Sequence, residues 1–350
     1  MNKRIEQLTF TRFISALLIF IGHFSSKTDY LSRIGANIWL NFGVAYFFIL
    51  SGFVLTISYL DKVEKIDLKL FYNFMLSRLA RVYPIYLLAM VLMMFIDALW
   101  QQRYYPLGEI LLNVTLLQAW NPPKLINFPS WSLSCEFFFY ACFLPLLLKV
   151  KRIKEGKEFV VIASIYLGIL VGFVLLFDIL KFDLGDRLNP LVHIPQFIIG
   201  MITAVIFIKN EKKVEISSET NISLLVIIIL FVLFNKPLSG REPELLPAYV
   251  VFLLLIAHRS FPFAALFSKR IFVLLGNASY GLYIFQAAFV PILEHSFDRL
   301  WKHIQSPDLK VIILAVTSTL ICMIMYIIVE KPLQRLIVNH LSISMDLNKS

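Results

Sequence analysis

The first long apolar stretch of this chain, RFISALLIFIGHF, contains two ionisable side chains, Arg12 and His23. They are eleven positions apart, so on an α-helix they share one face and lie about 16 Å apart along its axis. Ionisable groups inside a membrane helix usually face a bundle interior or a watery cavity. The pattern therefore predicts a functional face that carries a cation and a titratable imidazole. The alternative is that Arg12 and His23 snorkel to opposite membrane interfaces.

Two arginines, Arg78 and Arg81, form a second candidate group in the segment SRLARVYP. Residues three apart occupy neighbouring positions on one helical face, and guanidinium groups bind phosphate oxygens bidentately. The pair therefore fits the phosphates of a cytosolic cofactor such as an acyl-CoA. A positive anchor for lipid headgroups explains the same spacing.

A third group lies in FPSWSLSCEFFFY, where Glu136 is a carboxylate within an apolar stretch. The first helix and this one run in opposite directions, which puts His23 and Glu136 at similar depth near the outer side. A carboxylate beside an imidazole fixes its tautomer and stabilises its charged form. We therefore expect Glu136 to orient His23 as a general base. The candidate substrate-binding residues are Trp131, Ser134, Ser279 and Tyr280.

Other polar residues have two interpretations. Ser51 and Gly52 permit either close helix packing or close approach of a ligand. The polar residues of 274–286 indicate either a cavity-lining helix or hydrogen bonds between helices. Three more are expected near span ends or interfaces: His193, Asp97 and Lys310.

The composition is that of an integral membrane protein. Of 350 residues, 59% are hydrophobic and 16% are charged. In soluble domains about half of the residues are apolar and about a quarter are charged. We predict an all-α polytopic bundle of about ten transmembrane helices plus one short re-entrant or interfacial helix at 107–119. The apolar windows are 7–24, 36–60, 83–100, 131–148, 158–178, 191–208, 222–234, 246–258, 271–293 and 309–329.

The positive charges predict the orientation. With both termini cytoplasmic, 21 Lys and Arg fall in cytoplasmic segments and 10 in outer segments, as the positive-inside rule requires. The net charge of +10 then reflects topology and attraction to membrane lipids, and we expect no nucleic-acid partner. The three cysteines lack metal-ligand spacing, so no metal is expected. One membrane domain, 1–335, and a short cytoplasmic tail, 336–350, account for the chain.

Taken in order, these segments resemble the acyltransferase-3 family of membrane-bound acyltransferases, which includes bacterial O-antigen and nodulation-factor O-acetylases. The resemblance covers most of the chain. The matching motifs are R-x10-H from Arg12 to His23, YFFILSGF, RLARVYP, PSWSLSCEFFFY, LGNASYGLYIF and the closing VEKP with Glu330 and Pro332.

The resemblance implies an O-acyltransferase of the bacterial inner membrane. Such a protein takes an acyl group, usually acetyl, from cytoplasmic acyl-CoA and delivers it to a hydroxyl of a surface carbohydrate or lipid-linked glycan. It also implies that Arg12 and His23 are essential and that Arg78 and Arg81 bind the donor. Many relatives carry histidine where this chain has Gln286. We expect a stand-alone form without the extracellular SGNH domain of some relatives.

Two questions stay open at this point. The acyl group can pass directly from thioester to acceptor or through a covalent acyl-enzyme, and both routes need an activated nucleophile. The rival functions are a transporter or flippase for lipid-linked sugars, for which internal repeats are typical, and a carbohydrate-polymer ligase or polymerase.

Overall fold

The computed structural model describes residues 5–25, 28–33, 38–121, 124–153, 156–173, 188–211, 213–234, 245–296 and 298–337. Over these ranges the chain forms helices and turns and contains no strand. The main helices, numbered in chain order, are α1 Gln7–Phe24, α2 Ile38–Tyr59, α3 Leu68–Trp100, α4 Leu107–Val114, α5 Trp131–Lys151, α6 Glu158–Phe173, α7 Pro190–Asn210, α8 Ser218–Phe234, α9 Leu246–Ala257, α10 Arg270–Ser296 and α11 Pro307–Met325.

Ten apolar helices account for the ten apolar windows of the sequence within the described ranges. Six helical stretches are long and apolar enough to cross a membrane, namely Gln7–Phe24, Leu68–Trp100, Phe128–Lys151, Pro190–Asn210, Arg270–Ser296 and Pro307–Ile337. The shorter apolar helices are Gly43–Tyr59, Val160–Ile169, Ser218–Phe231 and Leu246–Ala257. The expected all-helical architecture is thereby confirmed, with six candidate membrane spans among the described residues. The span count and the side of each terminus stay predictions, because residues 1–4 and 338–350, which include most of the predicted tail, lie outside the described ranges.

Several helices begin where the sequence places a capping residue. The side chain of Asp67 accepts a hydrogen bond from the backbone N–H of Leu70 at the start of α3. Asn189 caps α7, and Ser306 caps α11. In α7 and α11 the cap is followed by a proline at the first helical positions, where the missing N–H costs no helical hydrogen bond.

Close helix crossings depend on glycine. A Cβ atom added at Gly52 of α2 would overlap the carbonyl oxygen of Phe197 of α7, and one added at Gly200 of α7 would overlap the carbonyl oxygen of Ile49 of α2. Gly276 of α10 meets the backbone of α1 in the same way. Small residues permit such approach between membrane helices, which confirms the packing interpretation of Gly52.

The helix α1 lies at the centre of the candidate site. It packs against α2 on one side and α10 on the other, and α10 also contacts α3 and α11. Arg12 and His23 therefore lie on a helix that is enclosed by protein over much of its length.

The segment between α3 and α5 folds back on itself. The eight-residue helix α4 is followed by 3₁₀ turns at Gln118–Trp120 and Phe128–Ser130. The fully buried Asn113 holds this region, because its Nδ2 donates to the carbonyl groups of Glu109 and Lys124, each at 2.8 Å. Irregular backbone is tolerated at membrane depth where protein groups satisfy it, and α4 is too short to span a bilayer.

Two residues expected near the surface are buried instead. Asp97 is 2% exposed and accepts a hydrogen bond from the hydroxyl of Tyr105, because the chain after α3 turns back over it. His193 is 3% exposed, with its ring centroid 5.3 Å from that of Phe48 and 5.1 Å from that of Trp131. The expectation that Asp97 snorkels and that His193 lies at an interface is corrected by this packing.

Candidate functional site

A cavity of about 100 Å³, the central cavity, lies where α1, α2, α3, α5 and α10 meet. Its charged lining residues are Arg12, Arg78, Arg81 and Glu136. The structure therefore brings together residues predicted from three separate sequence segments. Its other polar lining residues are Ser51, Ser132, Tyr140, Ser279, Tyr280 and Tyr283.

A larger cavity of about 420 Å³ adjoins the central one, and we call it the inner cavity because it lies on the predicted cytoplasmic side. The two cavities share Arg12, Arg78 and Arg81. Lys62 adds a fourth cation, and Glu330 is the one carboxylate among the described residues that line it. A cavity with this charge balance attracts anions.

The two arginines of α3 are available to a ligand. Neither Arg78 nor Arg81 forms a salt bridge within 4 Å of a carboxylate in the described part of the chain. The Nε of Arg78 is 3.4 Å from the hydroxyl of Ser77, and its guanidinium lies 5.9 Å from the ring centre of Phe74. Half-buried guanidinium groups without a bound carboxylate form a suitable site for phosphate oxygens.

Glu330 faces the same arginines from the last helix. It ends the π-helical turn Tyr326–Glu330, is 6% exposed and interacts electrostatically with Arg81. π-Helical turns occur frequently at functional sites. The sequence offered Glu330 only as part of a closing motif, although a carboxylate at the end of an apolar run was itself a signal.

Glu136 belongs to a stripe along α5. Ser132, Glu136 and Tyr140 are four residues apart and line the central cavity together, as the helical repeat requires. The hydroxyl of Tyr140 donates to Oε2 of Glu136 at 2.8 Å. The carboxylate also interacts electrostatically with Arg12, Arg81 and Arg78, so its negative charge partly offsets the arginine cluster.

His23 lies at a third cavity of about 230 Å³, the outer cavity, near the predicted outer end of α1. Its Nδ1 is 2.9 Å from Oε1 of Gln286. The amide is oriented by its own Nε2, which donates to the carbonyl of Tyr283 at 2.8 Å. Oε1 must therefore accept from the imidazole, so Nδ1 carries the proton and Nε2 carries the lone pair.

The structure thus corrects the expectation that Glu136 orients His23. Similar depth in the membrane does not determine which way each side chain points around its helix axis. Glu136 bonds to Tyr140 at the central cavity, whereas His23 bonds to Gln286 at the outer cavity. An amide oxygen fixes the tautomer as a carboxylate does, but it adds no negative charge.

The central and outer cavities are separate and share no lining residue among those described. Pro129 lines the outer cavity, and its carbonyl accepts hydrogen bonds from the hydroxyls of Tyr283 at 2.9 Å and Ser132 at 3.2 Å. Tyr283 and Ser132 line the central cavity. The turn at Pro129, which we call the partition, therefore connects the linings of the two cavities.

The candidate substrate-binding residues divide into two groups. Ser279 and Tyr280 line the central cavity, and the hydroxyl of Tyr280 donates to the carbonyl of Val82 at 3.0 Å. Ser134 instead donates to the carbonyl of Leu116 at 2.6 Å. Trp131 packs in the aromatic cluster described above, and neither Trp131 nor Ser134 lines a described cavity.

Sequence reasoning left four lining residues out of the candidate site, although each had an identifiable signal. Ser132 and Tyr140 precede and follow Glu136 by four positions, which is the spacing of one helical face. Lys62 lies in a basic connection that we attributed to topology alone. Gln286 was noted among the polar residues of 274–286 and as a departure from a family pattern, but it was given no role.

Comparisons with known proteins agree with the family suggested by the motifs. A family model described as an acyltransferase domain matches residues 5–327. Over 163 residues the chain is 32% identical to Acyltransferase MdmB of Streptomyces mycarofaciens. That segment covers 43% of this chain and only 40% of the relative's length. No solved structure matches the chain significantly.

Proposed function

Because the chain belongs to the acyltransferase-3 family, we propose that it is a membrane O-acyltransferase that moves an acetyl group from acetyl-CoA to a carbohydrate hydroxyl. In this proposal the protein lies in a bacterial inner membrane with both termini cytoplasmic, and the acceptor is a surface carbohydrate or lipid-linked glycan. The observation that carries the proposal is the pair of arginines, Arg78 and Arg81, at a cationic cavity that continues into the bundle.

The inner cavity holds the donor in this proposal. Its cations bind the phosphates of acyl-CoA, and Arg78 and Arg81 do so as a bidentate pair. The volume of about 420 Å³ is within the usual range of about 300–1,000 Å³ for ligand pockets. The adjoining central cavity of about 100 Å³ then receives the acyl end of the pantetheine arm.

His23 activates the acceptor. Its Nε2 lone pair takes the proton of the attacking hydroxyl as the new C–O ester bond forms. The thioester C–S bond breaks, and the proton passes to the CoA thiolate, which leaves as a thiol. Gln286 acts as a positioning residue because it keeps the lone pair on Nε2.

Transfer requires the partition at Pro129 to open, since the acyl group and His23 lie at separate cavities whose linings it connects. Glu136 is a positioning residue in this scheme. It holds Tyr140 and offsets part of the arginine charge, while Arg12 lines both the donor cavity and the acyl cavity.

The test measures release of CoA thiol by the full-length protein reconstituted in liposomes with acetyl-CoA. Replacing Arg78 or Arg81 by alanine removes a charged hydrogen bond worth about 1.5–3 kcal/mol, so KM for acetyl-CoA should rise roughly ten- to 150-fold. The matched control is Arg259→Ala, because Arg259 is an exposed arginine with an ion-pair partner, Glu215, and lines no described cavity.

Two results would contradict the proposal. The first is that the wild-type protein releases no CoA thiol with any acceptor tested. This is the result expected of a carrier or a polymerase. The other is an unchanged KM in both α3 variants, which would remove the donor site from this cavity.

A further inference from the structure

The outer cavity beside His23 has a lining chemistry opposite to that of the inner cavity. Gln286, Val290 and Glu294 form one wall at four-residue spacing along α10, so they share a helix face and extend about 12 Å along it. The side chain of Glu294 is exposed. None of the described residues that line this cavity is a lysine or an arginine.

Besides the carboxylate of Glu294, α10 provides a second hydrogen-bond acceptor, the backbone carbonyl of Ala287. Pro291 lies inside α10 and has no N–H, so the carbonyl of Ala287 lacks its usual helical donor. Ala287 and Pro291 both line the outer cavity. With the Glu294 carboxylate, this carbonyl makes the cavity rich in acceptors, which favours a ligand with several hydroxyl donors and disfavours a phosphate or carboxylate.

Phe128 is an aromatic residue of the cavity lining, and its ring contacts that of His23. It is 51% exposed, and its ring centroid lies 5.9 Å from that of His23 at an interplanar angle of 76°. The turn that carries it is fixed, because Asn127 Nδ2 donates to the carbonyl of Ile284 at 2.9 Å and Tyr283 bonds to Pro129. Phe128 lines a cavity beside a histidine, so its exposed ring is available to a ligand in that cavity. The π face of the ring suits the C–H groups of a sugar.

We propose that the outer cavity binds one neutral sugar residue of the acceptor. Its ring face lies on Phe128, its hydroxyls donate to Glu294 and to the Ala287 carbonyl, and a further hydroxyl lies at Nε2 of His23. The volume of about 230 Å³ is below the usual range for drug-sized ligands, about 300–1,000 Å³. One ring therefore fits, and the rest of a longer glycan extends outside. This inference rests on the acyl transfer proposed above.

The experiment offers matched acceptors to the full-length protein in liposomes with acetyl-CoA. The neutral probes are the methyl glycosides of glucose, galactose and mannose, and the anionic probes are the corresponding uronides. Mass spectrometry measures the acetyl esters. The wild-type protein should use at least one neutral probe at least about tenfold more efficiently than its uronide, because the acceptor-rich wall repels a carboxylate.

Variants test each wall separately. Phe128→Ala should raise KM for the neutral probe about tenfold, and Phe128→Trp should preserve it. Glu294→Lys should reverse the preference, so that the uronide becomes the better acceptor. Misfolding would lower the use of both probes and would not produce this reversal. KM for acetyl-CoA should stay unchanged in all three. The control Phe95→Ala removes an aromatic side chain that is 62% exposed on α3 and lines no described cavity.

Three results would overturn the inference: equal use of neutral probes and uronides, an unchanged KM in Phe128→Ala, or turnover of acetyl-CoA with no glycoside acetylated. If the wild-type protein neither releases CoA thiol nor acetylates any probe, the proposed function fails and the sugar site fails with it. The first three results leave the acyltransferase proposal standing, so the two failures are distinguishable.

Discussion

The hydrogen bond between His23 and Gln286 permits a quantitative prediction. Gln286 is 1% exposed, and its Oε1 accepts from His23 Nδ1 at 2.9 Å. Gln286→Met keeps the length and nearly the volume of the side chain but replaces a strong acceptor with a weak one. The Nδ1 proton is then left without its acceptor, which costs about 1–3 kcal/mol.

This penalty applies to the tautomer with the lone pair on Nε2, which is the reactive form in the proposed transfer. Because about 1.36 kcal/mol is a factor of ten in rate, kcat for acyl transfer should fall roughly five- to 150-fold. KM for acetyl-CoA should not change, since Gln286 lines only the outer cavity. Gln286→Glu restores an acceptor and should recover much of kcat.

The assay follows thiol release and acetyl ester formation in liposomes at saturating donor. Gln196→Met is the matched control, because Gln196 is also 1% exposed but lines no described cavity. A Gln286→Met protein with wild-type Tm and wild-type kcat would refute the assignment of the tautomer. A parallel fall in kcat for Gln196→Met would attribute the effect to general loss of packing.

Three further predictions concern the donor site and the packing of the helices. Arg81→Lys keeps the charge but loses the planar fork, so KM for acetyl-CoA should rise roughly tenfold in the thiol-release assay, and an unchanged KM would exclude bidentate binding. Glu330→Gln removes a competing charge beside Arg81, so the same assay should show KM falling several-fold, and a rise would assign Glu330 a direct contact with the donor. In Gly200→Ala the new Cβ atom overlaps the carbonyl oxygen of Ile49, which should lower the free energy of unfolding by about 1–3 kcal/mol and Tm by several degrees. Gly168→Ala is the control, because the space around Gly168 is open, and its Tm should not fall.

Much of the fold follows from apolar periodicity. Each predicted window overlaps a helix in the described ranges, because runs of this length have no alternative structure that satisfies the backbone in lipid. The short segment around Asn113 was separable from a span by its length and polar residues. The same patterns did not predict that Asp97 and His193 are buried, since burial depends on which loop or helix returns over them.

The candidate site was partly predictable for a related reason. Arg12, Arg78 and Arg81 line the same cavity because each lies near the predicted cytoplasmic end of its apolar window, and depth can be estimated from sequence. Rotation about a helix axis cannot. Ser134 was chosen although Ser132 lies four residues from Glu136, and the partner of His23 came from a helix more than 260 residues away.

The cavity sizes have a consequence for the membrane itself under the proposed function. A coenzyme that is bound by its phosphates in the inner cavity has access to the central cavity, whose volume of about 100 Å³ is much smaller than a nucleotide. Only the acetyl group therefore passes beyond the central cavity. The cell would thus acetylate material outside its cytoplasm without losing the carrier molecule.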